Sequence, residues 1–165
     1  AAVQNKEVLL KEKFLYFFNI VSTSNFIAYT LLVLFSNLII NLLYGSNYSH
    51  ILILVWILSL YMYLRSIASI VGSLVIATGK TYLEFFWNIL VFFVTPLAIY
   101  IGVHFSVEMV ALALVIVTVI LIYPFWKFLI YKLCKSTLFE FLINYIPNFK
   151  NLYYLILQKE NKNAN

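Results

Sequence analysis

The sequence predicts an all-α integral membrane protein, with four transmembrane helices followed by an interfacial helix. Three observations carry this. First, 64% of the 165 residues are hydrophobic and only 10% are charged, against roughly 45–50% and about 25% in soluble domains. A soluble domain of this size leaves too much surface in water to hide that excess. Second, the mean hydropathy is +0.97. Third, residues 14–64 contain no Asp, Glu, Lys or Arg. The composition excludes soluble enzymes, disordered tails and nucleic-acid-binding modules, so membrane lipids are expected as partners and nucleic acid is not.

Residues 1–13 are polar and helix-friendly and are expected to form a cytoplasmic lead-in. The chain starts Ala1-Ala2-Val3, without an initiator methionine. No basic start with a short apolar core marks a signal peptide. A transmembrane bundle is expected over 14–132, and a cytoplasmic amphipathic tail over 133–165.

The charge-free run is too long for one span and suits two. The turn formers Tyr44-Gly45-Ser46-Asn47-Tyr48-Ser49-His50 divide it. Spans are therefore expected at about 17–43 and 51–77, the second ending where Gly79 suits a helix C-terminus. A third is expected at 83–103, ending at Gly102, His104 and Ser106, and a fourth at 107–130. Each reaches the about 20 residues needed to cross a core of about 30 Å. The first two exceed it, so tilt or protruding ends are expected. Pro96 predicts a kink in the third span, and Pro124 loosens the end of the fourth.

The lysines set the orientation. Lys6, Lys11 and Lys13 precede span one, Lys80 separates spans two and three, and Lys127, Lys132 and Lys135 follow span four. All fall on one side. The opposite turns hold only His50, His104 and Glu108. By the positive-inside rule both ends are cytoplasmic. Trp56, Trp87 and Trp126 near span ends suit aromatic belts.

In the tail, Leu138, Phe141, Leu142, Tyr145, Ile146 and Phe149 fall on one helical face, limited by Pro147. The pattern predicts a helix on the inner membrane surface. Residues 151–157 are too few to span, and 159–165 are expected to be disordered.

Arg65 is the charge at mid-membrane depth. It costs about 2.5–3.5 kcal/mol at a helix centre, so a partner helix, an interface or a water-filled cavity must offset it. In a cavity its planar fork would match phosphate oxygens. Ser59, Ser66, Ser69 and Ser73, with Ala68 and Gly72, form a small-residue face that allows close helix approach or substrate contact. Span one carries Thr23, Thr30, Asn37 and Asn41 on one side, extended by Asn19. These amides either bind substrate or join two helices. Arg65, Ser69, Asn37 and Asn41 are the substrate-binding candidates.

Enzyme chemistry is missing. There is no Asp, the two histidines lie in different turns, and no metal-ligand spacing or phosphate-binding glycine loop occurs. No catalytic residue, metal or cofactor is expected. Cys134 is alone, so no internal disulfide can form.

The order of features resembles a known family. A polar-striped span ends in Leu42-Leu43-Tyr44-Gly45-Ser46-Asn47-Tyr48. The next has Arg65-Ser66 at mid-helix and closes with Ile76-Ala77-Thr78-Gly79-Lys80-Thr81. The third holds Trp87-Asn88, and lysines then lead into Ser136-Thr137-Leu138-Phe139-Glu140-Phe141-Leu142. Over nearly the whole chain this resembles the C-terminal part of bacterial polysaccharide flippases. These export O-antigen and capsule repeat units and belong to the multidrug/oligosaccharidyl-lipid/polysaccharide exporter superfamily. One departure is the turn from Gly102 to Glu108, which lacks the family's usual second glycine.

The resemblance implies a two-lobed transporter of twelve or more helices in the bacterial cytoplasmic membrane. This chain would supply the ninth to twelfth, and the N-terminal lobe would be a missing partner. It implies that the transporter moves oligosaccharide linked to undecaprenyl diphosphate, with Arg65 in a basic central cavity. The alternatives are a lipid II flippase, a multidrug antiporter, or a small structural membrane subunit.

Overall fold

The computed structural model describes residues 2–66 and 68–153, and their regular structure is helical throughout. The helices are α1 (Ala2–Tyr44), α2 (Leu52–Ser66), α3 (Ala68–Thr78), α4 (Thr81–Val103), α5 (Val107–Phe125), α6 (Tyr131–Cys134) and α7 (Leu138–Tyr145). A tight 3-10 turn, Ser46–Ile51, joins α1 to α2, and a π-helical turn, Trp126–Ile130, joins α5 to α6.

Four stretches are long and apolar enough to cross a membrane: Val8–Tyr44, Leu52–Thr78, Thr81–Val103 and Val107–Cys134. They match the four expected spans in number and order. The first and fourth are longer than hydropathy alone implies. Residues 2–13, read as a lead-in, continue the helix of the first span, because nothing there breaks it. With 43 residues, α1 is about 64 Å long, twice the thickness of a bilayer core. The fourth span continues past residue 130 through the π turn, whose wide ring is closed by the Tyr131 N–H on the Trp126 carbonyl. It stops where Lys135 turns left-handed, at φ 54°.

The turns follow the residues that mark them. Gly79 adopts φ +68°. Its N–H donates to the Ile76 carbonyl (3.1 Å) and that of Lys80 to Val75 (3.2 Å), which closes the end of α3 as a Schellman motif. Between α4 and α5 the backbones nearly touch. A Cβ on Gly102 would lie 2.6 Å from the Val110 Cα, so this approach requires glycine. Ser106 caps α5, its hydroxyl accepting from the Met109 N–H. α4 is one unbroken helical element through Pro96.

α5 packs against both α4 and α2, and α2 packs against α1. The best-packed core lies at the lysine-rich end. There Phe14 and Phe18 of α1 meet Val71 and Val75 of α3, Leu129 and Ile130 of the π turn, and Phe141 of α7. Elsewhere α4 turns Phe85, Phe86, Phe92 and Phe93 outward, as a span in contact with lipid or with another helix does.

The tail stripe divides. Phe141 is fully buried between Phe18 (5.1 Å between ring centroids) and Phe125. Leu142, Ile146 and Phe149 stay exposed, with Phe139 and Ile143 beside them. In place of a helix flat on the membrane surface, α7 inserts one edge into the bundle. Its aromatic rings find protein partners there and leave the other edge free. The expected disorder over 159–165, and residues 154–157 of the short segment, lie outside the described residues.

Candidate functional site

Arg65 lies midway along the second span and lines a crevice of about 140 Å³. Tyr61, Ala68 and Gly72 join it from α2 and α3, and Leu114, Thr118 and Phe125 come from α5. From α4 come Glu84, Asn88, Val91 and Thr95, spaced i, i+4, i+7 and i+11 along one stripe. Ala68 puts only a methyl group into this space, and Gly72 nothing.

Two contacts hold Arg65. Its guanidinium donates to the hydroxyl of Tyr61, one turn back, and lies 5.7 Å from the centroid of that ring. Tyr61 itself is buried, so the cation is anchored to its own helix. On the facing wall, the Glu84 carboxylate leans toward α3. A Cβ at Gly72 would be 3.2 Å from its Oε1, so glycine supplies the room the carboxylate occupies. Among the described residues Lys11 and Glu140 form an ion pair, and Arg65 and Glu84 do not.

Opposite charges therefore share one crevice without neutralising each other by contact. A fixed guanidinium beside amide and hydroxyl groups can take over the solvation of an anion inside a span. Glu84 at the start of α4 would repel that anion and orient it toward Arg65. Among the described residues no group of three or more His, Cys, Asp or Glu side chains could hold a metal ion.

The four sequence candidates occupy three different surfaces. Ser69 faces a separate groove between α1 and α3 with Lys13, Phe17 and Ser73. Its hydroxyl donates to the Ser66 carbonyl at 2.8 Å. Asn37 and Asn41 are exposed on α1 toward the end away from the lysines, with the Asn41 amide donating to the Asn37 Oδ1 at 3.1 Å. Neither lines the Arg65 crevice.

The other half of the polar stripe joins helices. Asn19 donates through Nδ2 to the carbonyls of Asn144 (3.1 Å) and Ile146 (3.0 Å). Ser22 and Tyr63 both donate to the Tyr145 carbonyl, at 2.7 and 2.8 Å. Thr23 accepts from the Asn148 N–H at 2.9 Å. Asn19, Ser22 and Tyr63 thus satisfy carbonyls at the C-terminal end of α7 that helix geometry leaves open, and Thr23 takes an N–H just beyond it.

Sequence reasoning missed several residues. It gave Glu84 no role, and it assigned the tail no part in a cavity. Phe141 and Tyr145 of α7 line the crevice. Trp87 and Trp126, expected in aromatic belts, turn toward protein. Trp87 packs on Phe125 at 5.1 Å between centroids, and Trp126 donates to the Ser136 carbonyl at 3.0 Å. The i, i+4, i+7, i+11 stripe on α4 was the available signal for Glu84, Asn88 and Thr95.

No protein-family model, curated protein or solved structure matches the chain.

Proposed function

We propose that this chain is the distal part of a flippase that moves an oligosaccharide linked to undecaprenyl diphosphate across the bacterial cytoplasmic membrane. The motif order supports that family, and the crevice around Arg65 is the observation that carries the cargo class. A permanent cation at mid-span, anchored by Tyr61 and bordered by Asn88, Thr95 and Thr118, suits a diphosphate headgroup. Arg65 would take phosphate oxygens through a charge-assisted fork. The polyprenyl chain would stay in lipid. A second lobe on the same polypeptide would complete the cavity, and rocking of the two lobes would expose it to each side in turn. Both ends of this chain would be cytoplasmic. A multidrug antiporter with cationic cargo would be opposed by the charge of Arg65.

Depletion of the protein in its own cell, with analysis of lipid-linked intermediates, tests the reading. We expect polyprenyl-diphosphate oligosaccharide to accumulate on the cytoplasmic side while cell-wall precursor stays level. Accumulation of wall precursor instead would point to a lipid II flippase, and no accumulation of either would reject transport of such lipids.

A second reading, an assembly subunit, draws on Asn37 and Asn41. Exposed amides on a membrane helix favour a neighbouring helix that hydrogen-bonds them.

A further inference from the structure

The contacts of α7 pair Glu140 with Lys11, Asn144 and Ile146 with Asn19, Tyr145 with Ser22, and Asn148 with Thr23. From Glu140 to Tyr145 the two series ascend together, and beyond the helix Asn151 turns back to Asn19. The tail helix therefore runs beside α1 in the same direction, from the lysine-rich end into the bundle. At its tip the Tyr145 hydroxyl donates to the Leu64 carbonyl at 2.7 Å, beside Arg65 in the chain. Phe141 and Tyr145 thus wall the Arg65 crevice from the lysine-rich side.

Two features make this wall movable. Apart from Leu138 and the rings of Phe141 and Tyr145, which pack in or against the core, the attachment is built of hydrogen bonds to single side chains and one ion pair, all of which water can replace. The helix also has a face suited to a second position. Its free edge carries Phe139, Leu142 and Ile143, all exposed, with exposed Ile146 just beyond its end, and an amphipathic helix of this kind is at home in a membrane surface. Lys135, with its left-handed backbone, and the short link to Thr137 separate α7 from α6 and provide a hinge.

We propose that α7 is a gate on the lysine-rich side of the Arg65 crevice. Docked on α1 it walls off that side of the crevice, and laid on the membrane surface it opens that side. Its role in transport rests on the reading of this crevice as the headgroup path.

The test uses the full chain in membrane vesicles, with Cys134→Ser removing the one native thiol and Asn88→Cys reporting from the crevice. A charged, membrane-impermeant maleimide is added on the side of Lys11 and Lys132. We expect labelling at least five-fold faster when Asn19→Ala and Ser22→Ala loosen the tail. An unchanged rate in a normally inserted protein would overturn the gate. A second measurement needs no weakened docking: spin labels at Leu9→Cys and Phe139→Cys, again with Cys134→Ser. Two distance populations are expected, the longer one enriched in anionic vesicles, and a single short distance in every lipid would overturn the proposal. Neither readout involves transport, so export that ignores Arg65 would reject the cargo reading and leave the gate result standing.

Discussion

Glu140 ties the start of α7 to α1 through its two carboxylate oxygens and its own N–H. Its Oε1 accepts from Lys11 at 2.6 Å, its Oε2 accepts from the Thr137 N–H at 2.8 Å, and its own N–H donates to the Thr137 hydroxyl. The last two form a capping box that starts α7. The Lys11 hydrogen bond, and then the Thr137 N–H, lower its pKa to about 2 from about 4.5. A carboxylate whose folded value is depressed stabilises the fold fully above its unfolded value. That contribution is lost as pH falls from about 4.5 through about 2. Thermal unfolding of the detergent-solubilised protein should follow this sign. Glu140→Gln keeps a cap-compatible side chain but loses the ion pair, and should cost about 0.2–1 kcal/mol at neutral pH, as partly exposed pairs do. It should also flatten the loss of Tm between those pH values, and a variant as acid-sensitive as the wild type would contradict this account of Glu140.

At the scale of elements, the α4–α5 hairpin depends on its closest point. Gly102→Ala drives a Cβ into the Val110 backbone, and backbone cannot rotate away as a long side chain can. Overpacking of this kind costs about 1–3 kcal/mol, and the loss should appear as a lower midpoint in denaturing-detergent titrations. A wild-type midpoint would mean the turn is looser than described. Elements were also the scale at which the sequence was most legible. Bilayer thickness sets span length, so apolar runs between turn formers located four spans, and Gly79 marked a helix end. The extension of α1 was hidden because a helix need not stop where hydropathy does. The docking of α7 was hidden for another reason. An apolar stripe suits lipid and protein equally, and the partners that Asn19, Ser22 and Tyr63 find on α7 itself are backbone carbonyls, which leave no side-chain pattern. At the site, Arg65 could be singled out because a charge in an apolar span is rare. Its sharing of a crevice with Glu84 depends on how α3 and α4 pack, and spacing along one helix does not carry that.

For the whole molecule, four crossings return the chain to the side on which it began. The lysines at both ends and in the α3–α4 turn then lie together, and Lys80 does donate to the Lys132 carbonyl at 3.3 Å. Single cysteines at Lys80 and Lys132 should react with an impermeant reagent only from the cytoplasm, and a cysteine at Phe105 only from outside. Phe105 reacting from the cytoplasmic side would invert the topology and, with it, the direction assigned to the gate. The outward-turned phenylalanines of α4 and the crevice lined by Glu84, Asn88 and Thr95 place an apolar and a polar surface on one helix.

The most direct test of the central claim is glycan export by the complete protein with Arg65 replaced. The account predicts that Arg65→Ala, inserted at normal levels, abolishes surface polysaccharide, and that Arg65→Lys, which keeps the charge without the planar fork, retains part of it. Normal export by the stably inserted Arg65→Ala protein would contradict it.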